Sequence, residues 1–150
     1  MADADVLVGH RIAMFQDMSV VVDVDALSAA FRGWLQTVLP DGTYRAWLVE
    51  SADGRIVAGG GLTILPWPPG PRLPPFGAGR LAFVYNVYTE RDQRRRGLAR
   101  LVMETIHRFC GDEGIPFVAL NASPDGKAMY EAMGYAVSPS PMMFFPVVQV

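Results

Sequence analysis

The spacing of apolar residues changes period several times along the chain, and each change predicts an element. Between Leu7 and Met18 the residues Leu7, Ile12, Met14, Phe15 and Met18 fit a short helix imperfectly. Leu27, Phe31, Trp34, Leu35 and Val38 fit a second helix better, with Asp23 or Asp25 as its N-cap and Pro40-Asp41-Gly42 as its stop. The β-rich stretch "TYRAWLVES", the turn "ADG" and the return "RIVAGGGLTIL" then predict a hairpin. Prolines rule out regular structure in "PWPPGPRLPPFGAG", because they lack a backbone donor and push the preceding residue toward extended conformations. This stretch reads as a long surface loop.

The apolar, β-branched and aromatic run "RLAFVYNVYT" predicts a central strand. A helix follows with Leu98, Leu101, Val102, Ile106 and Phe109 on one face, ended by Gly111 or Gly114. "PFVAL" has no polar face, as in a buried parallel strand. "SPDGKAMYEAMGY" predicts a short helix ending at Gly134, and "MMFFPVV" a last strand. The order α-α-β-β-β-α-β-α-β is that of an α/β (α+β) fold, a mixed sheet with helices packed on it. At 150 residues the chain suits one domain, 1–150, around one core.

Charge narrows the functions. With 13 basic and 15 acidic residues the net charge is −2, so the generally basic surface that nucleic-acid binding uses is absent. Any anion site must be local, and Arg91 to Arg100 is the one dense basic cluster. The single cysteine, Cys110, excludes an internal disulfide and fits a reducing cytosol. Acids stand where a signal peptide would carry basic residues, and no apolar run is long enough to span a bilayer. A cytoplasmic protein with no membrane partner is expected. Two histidines and one cysteine show no metal-ligand spacing, so no metal is expected either.

The arginine cluster falls at a strand-to-helix turn. The first N–H groups of a helix lack internal partners and the helix dipole adds positive charge there, which together make an anion site. Gly97 removes a Cβ where a phosphate would approach the backbone, and Ala99 keeps the next turn slim. No Gly-Lys-Ser/Thr follows, which excludes a Walker loop, and the three-glycine dinucleotide fingerprint is missing.

Arg94-Arg95-Arg96-Gly97-Leu98-Ala99 does resemble the Gln/Arg-x-x-Gly-x-Gly/Ala signature of the GNAT acetyltransferase superfamily. Tyr130-Glu131-Ala132-Met133-Gly134-Tyr135 resembles that family's Tyr-x-x-x-Gly-Phe/Tyr ending, and the two stand in the family's order. The resemblance runs from about Tyr44 to Tyr135 and is weaker in the N-terminal helices. It implies a mostly antiparallel central sheet flanked by helices and an acetyl-coenzyme A (acetyl-CoA) cosubstrate. Family members usually open with a short strand before the first helix. "MADADVLVGHRI" leaves almost no room for one, so that strand is absent or the start is short.

Carried onto this sequence, the resemblance places the pyrophosphate on the backbone amides of Arg95, Arg96, Gly97, Leu98, Ala99 and Arg100. Arg94 and its neighbours would add side-chain charge. Val87 and Tyr88 would lend main-chain groups to the pantetheine arm in the manner of strand addition, and a main-chain N–H there would polarise the thioester carbonyl. Asn121 would meet pantetheine or amine, or serve as a turn residue; Ser123 is a weaker candidate, being good helix-entry chemistry by itself. Tyr130 would be the acid for the leaving thiolate, since a phenol of ordinary pKa about 10 stays protonated at neutral pH.

No base is named, because "RLAFVYNVYT" carries no carboxylate and Glu90 comes too late. A water relay through Tyr85 or Asn86, a carboxylate such as Glu50, or an amine that loses its proton unaided all remain. His107 is read as a surface or cap-proximal residue, His10 as a surface residue in a helix that by the resemblance often borders the acceptor pocket, and Cys110 as a small buried hydrophobe. Trp67 and Phe76 either wall an acceptor pocket or pack the loop down.

Two functions stay open. One is an N-acetyltransferase acting on an unidentified primary amine of a small molecule or peptide. The other is an acyl-CoA-binding sensor or interaction module without turnover. "MMFFPVV" is apolar enough to serve a homodimer, and equally to be a core strand.

Overall fold

A computed structural model describes residues 2–69, 79–139, 142, 143 and 145. The elements in chain order are α1 (Ala2–Asp17), α2 (Val24–Val38), β1 (Tyr44–Glu50), β2 (Ile56–Pro66) and β3 (Arg80–Thr89). A single 3-10 turn at Arg91–Gln93 leads to α3 (Leu98–Asp112), β4 (Val118–Leu120) and α4 (Pro124–Ala132). The strands lie in the order β1-β2-β3-β4. The first three are antiparallel neighbours, and β4 runs parallel to β3. The expected mixed, mostly antiparallel sheet is therefore present. Of the expected strand "MMFFPVV", Met142, Met143 and Phe145 have no regular structure, and the remaining residues lie outside the described ones. Most of the proline loop, including Phe76, also lies outside them; Trp67 at its start is exposed.

Helices cover both faces of the sheet, each with its own apolar cluster. On one face Leu7 and Val8 of α1, Phe31 and Leu35 of α2 and Tyr44 of β1 pack together. On the other, Val102, Met103, Ile106 and Cys110 of α3 and Tyr130 of α4 pack on Ala58, Leu62, Ala82 and Val84. Asp23 caps α2, its carboxylate accepting from the Ala26 amide at 3.0 Å.

Two sequence expectations need correction. α1 begins five residues before Leu7, with Asp3 and Asp5 in a first turn whose positive dipole end favours acids. On α3 the buried stripe is Val102, Met103, Ile106 and Cys110, while Leu101 is exposed on the flank.

β2 can be so closely flanked because of its glycines. Gly59 and Gly61 face the α1 side, where His10 and Tyr44 lie, and Gly60 faces Val102 of α3. A Cβ at Gly61 would overlap the Tyr44 phenol and stand 2.5 Å from the Arg45 carbonyl oxygen. Glycine inside a strand costs conformational entropy, and here it permits close approach of a neighbouring side chain.

Candidate active site

A bulge in β3 shapes the site. Gly61 pairs with Tyr85 and Gly59 with Tyr88, so Asn86 and Val87 together oppose Gly60. The extra residue takes up its slack at Asn86, which has a left-handed φ of 56°. Asn86 is held there by its side chain: Arg11 donates to its Oδ1 at 2.6 Å, and its Nδ2 donates to the Tyr44 hydroxyl at 3.3 Å. β4 pairs with β3 only from Ala82 to Val84. Beyond Val84 the far edge of β3 opens onto a cleft of about 1060 Å³.

The turn after β3 forms the next wall. Arg95 and Gly97 have left-handed φ values of 66° and 78°, and Gly97 is the N-cap of α3. Asp23 and Ser123 cap α2 and α4 with side-chain oxygens, whereas nothing of the kind caps α3. Its first intrahelical bond runs from the Leu101 amide to the Gly97 carbonyl at 2.9 Å. The amides of Leu98, Ala99 and Arg100 thus have no partner within the helix. A Cβ at Gly97 would meet nothing within 4 Å, so the space over this turn is open and the glycine is needed for its φ.

The arginines of the run do different things. The Arg94 guanidinium binds Asp17 at the end of α1 and donates to the Thr89 carbonyl at 3.1 Å. Arg91 also binds Asp17, at 2.5 and 2.8 Å. Burial alone would raise the Asp17 carboxyl, but the hydrogen bonds from Arg94 and Arg91 outweigh it and hold its pKa below the usual range. Arg96 donates to Gln93 and does not line the cleft. Arg95 and Arg100 line it and form no ion pair among the described residues.

α4 completes the cleft. Its N-cap Ser123 accepts from the Gly126 amide at 3.2 Å and lines the cleft beside Asn121, which is exposed just past β4. The C-terminus explains the Tyr-x-x-x-Gly-Tyr spacing physically. Gly134, at φ 93°, lets the Tyr135 amide donate to the Tyr130 carbonyl at 3.0 Å and its own amide donate to Glu131 at 3.0 Å. This is the Schellman closure, and it normally brings a contact between the residues at its two ends. Here the rings of Tyr130 and Tyr135 meet edge-on at 5.7 Å, and Tyr135 is anchored by His107 Nε2 at 2.7 Å. Tyr130 is buried, faces the cleft, and makes no side-chain hydrogen bond among the described residues. Burial raises its phenol pKa.

Of the residues singled out from sequence, Val87, Tyr88, Arg94, Arg95, Gly97, Leu98, Ala99, Arg100, Asn121, Ser123 and Tyr130 all line this one cleft; Arg96 does not. Among candidate bases, Glu50 and Glu90 lie outside it, and Asn86 is engaged with Arg11 and Tyr44. The carboxylates lining it among the described residues are Asp17, held by two arginines, and Asp125, in the first turn of α4.

His10 is not a surface residue. It is buried against Tyr88, with Nε2 3.6 Å from Glu90. His107 is half-buried on Tyr135. Sequence reasoning passed over Arg11, which reaches the bulge from the buried side of α1; its charge broke the apolar pattern that would have marked that side. Among the described residues no group of three or more His, Cys, Asp or Glu is placed to hold a metal, and no helix is long and apolar enough to cross a membrane.

Comparison with known proteins agrees with this arrangement. Residues 13–135 match the profile of the Acetyltransferase (GNAT) family. A GCN5-related N-acetyltransferase from Ralstonia eutropha JMP134 superposes with a TM-score of 0.83 at 32% identity, covering 97% of this chain and 93% of that one. A predicted acetyltransferase with acetyl-CoA from Clostridium acetobutylicum gives 0.85 at 21% identity, over 97% and 91% of the two chains. Glucosamine-6-phosphate N-acetyltransferase from Arabidopsis thaliana gives 0.64 at 19%, over 92% of each. No curated protein sequence matches. The chain belongs to the GNAT acetyltransferase family.

Proposed function

We propose that residues 1–150 form one N-acetyltransferase domain that moves an acetyl group directly from acetyl-CoA to a primary amine of a small molecule or peptide. The observation that carries this reading is convergence. The open edge of β3 at its bulge, the uncapped start of α3 and the phenol of Tyr130 face a single cleft.

Acetyl-CoA supplies the activated acetyl thioester and a diphosphate that needs a cationic, donor-rich seat. The residues present fit it. The free amides of Leu98, Ala99 and Arg100, the open space over Gly97 and the side chains of Arg95 and Arg100 would hold the diphosphate. A helix N-terminus contributes about 0.3–1 kcal/mol toward such an anion, and the arginines add to it. Main-chain groups of Val87 and Tyr88, on the edge of β3 that β4 leaves unpaired, would take the pantetheine arm as an added strand. Asn121 and Ser123 would flank that arm from the far side.

Overall, one proton leaves the amine nitrogen and one arrives at sulfur. Tyr130, kept protonated by burial, is a weaker acid than a thiol of pKa about 8.5. It therefore stabilises charge growing on sulfur chiefly by donating a hydrogen bond, and the proton released by the amine closes the balance. No residue is assigned as general base, and the acceptor is taken to bind as the free amine.

A thiol-release assay with acetyl-CoA across a panel of amines tests the proposal. Transfer by the wild-type protein, reduced about 10²-fold or more in kcat by Tyr130→Phe, is the expected result. Binding of acetyl-CoA without transfer to any amine would replace the enzyme with an acyl-CoA-binding module.

A further inference from the structure

The half of the cleft that the cofactor reading leaves over lies between α1 and the start of the open edge of β3. Its walls are mostly apolar or aromatic, including Met14 and Phe15 of α1, Met18 just after it, and Phe83 and Tyr85 of β3. Two charges stand on the α1 wall among the described residues: Asp17, held by Arg91 and Arg94, and Arg11. The Arg11 guanidinium lies over the rings of Phe15 and Phe31, at 5.0 and 4.7 Å from their centroids.

Three facts make Arg11 unusual. It is half-buried, yet it forms no ion pair with any carboxylate among the described residues. Among the described residues its one side-chain hydrogen bond goes to a neutral acceptor, Asn86 Oδ1, and its buried Nε has no partner. Burial lowers its pKa, and the titratable groups that face it, the phenols of Tyr44 and Tyr85, are neutral while protonated and supply no counter-charge. An arginine stays charged even so. A desolvated cation without a counter-ion is costly to keep, and a carboxylate meeting its fork would remove that cost with charge-assisted bonds. The cleft carboxylate on the same helix, Asp17, is already held by Arg91 and Arg94.

Position says what that anion belongs to. Asn86, which Arg11 grips, is the residue before Val87, so the guanidinium lies beside the bulge where a main-chain N–H would polarise the thioester carbonyl. An anion on Arg11 would sit close to the point of transfer, with apolar side chains around it. We infer that the acceptor is a free amino acid with an apolar or aromatic side chain, its carboxylate held by Arg11 and its α-amine turned toward Val87. This rests on the acetyltransferase reading and narrows its acceptor. It argues against a polyamine, which would bring positive charge against an uncompensated guanidinium.

The test compares phenylalanine with phenylalaninamide, phenethylamine and spermidine at equal concentrations of free amine, with acetyl-CoA and thiol release as the readout. The inference predicts at least a tenfold higher kcat/KM for phenylalanine than for the other three. Arg11→Gln should raise the KM for phenylalanine at least tenfold and erase the preference, while calorimetry shows acetyl-CoA affinity within about twofold of wild type. Arg11→Lys, which keeps charge without the fork, should fall between. Equal kcat/KM for the amide or phenethylamine, or a preference that survives Arg11→Gln, would overturn the inference while leaving the acetyltransferase intact. If no amine is acetylated, the acetyltransferase reading fails by itself. Calorimetric binding of phenylalanine against its amide to the coenzyme A-loaded protein then decides the Arg11 site: a tenfold preference sustains it and equal binding sinks it.

Discussion

Gly61 shows how a single residue decides what may pack above a strand. Tyr44 is fully buried, and its ring occupies the space a side chain at position 61 would need. Because the Arg45 backbone oxygen also lies 2.5 Å from where that side chain's Cβ would stand, rotation of one side chain cannot relieve the overlap. Gly61→Ala is expected to destabilise by about 3 kcal/mol and to lower Tm by roughly 6–12 °C in thermal unfolding. An unchanged Tm would mean that the Tyr44 packing is wrong. The same ring carries Asn86 through its hydroxyl, so an error there would reach the bulge. At this scale some residues were legible in sequence and others were not. Tyr130 was, because the Schellman closure at Gly134 demands a fixed spacing that survives as a motif. His10 was not: a lone histidine has no pattern, and only the glycines of β2 show that α1 lies close enough to bury it.

At the scale of elements, α1 is the piece whose placement depends most on charge. Its sequence pattern is faint because its buried side includes His10 and Arg11 among apolar residues. Its end is clasped to the turn before α3 by Asp17 with Arg91 and Arg94, a largely exposed cluster worth about 1 kcal/mol or less and screened by salt. His10 should make the docking pH-sensitive. Burial lowers its pKa, and the attraction of Glu90 only partly offsets this. With the folded pKa below the unfolded value of about 6.5, the unfolded chain takes up a proton first as pH falls. Stability should therefore be full above that value and decline as pH drops below it, levelling once the folded pKa is reached. Denaturant unfolding between pH 8 and 5 should show this decline, and His10→Leu should remove the part that His10 causes. The same decline in both proteins would show that His10 is not its source. The other elements were easier to read: α2 and α3 carry clear apolar stripes, and β3 is apolar on both faces because helices cover both.

For the molecule as a whole, the order of elements and the residues that line the proposed cofactor half of the cleft could be read from the sequence, since both depend on local signals: a strand, a glycine-bearing turn, a helix and a capped tyrosine. The bulge could not, because it is a property of pairing between β2 and β3 and leaves no mark on either strand alone. Nor could the charge of the proposed acceptor half, which is set by which arginines find carboxylates; Arg94 is neutralised by Asp17, and Arg11 finds no such partner among the described residues. The proposed function depends on the open turn at Gly97 receiving a diphosphate. Calorimetric titration of coenzyme A into the wild-type protein and Gly97→Glu tests this most directly, since glutamate brings negative charge into the open space and cannot easily hold the left-handed φ of 78°. Tight binding by wild type, weakened at least a hundredfold in a Gly97→Glu protein that still unfolds cooperatively, is the predicted result. Equal affinity in the two proteins would contradict the assignment of this cleft.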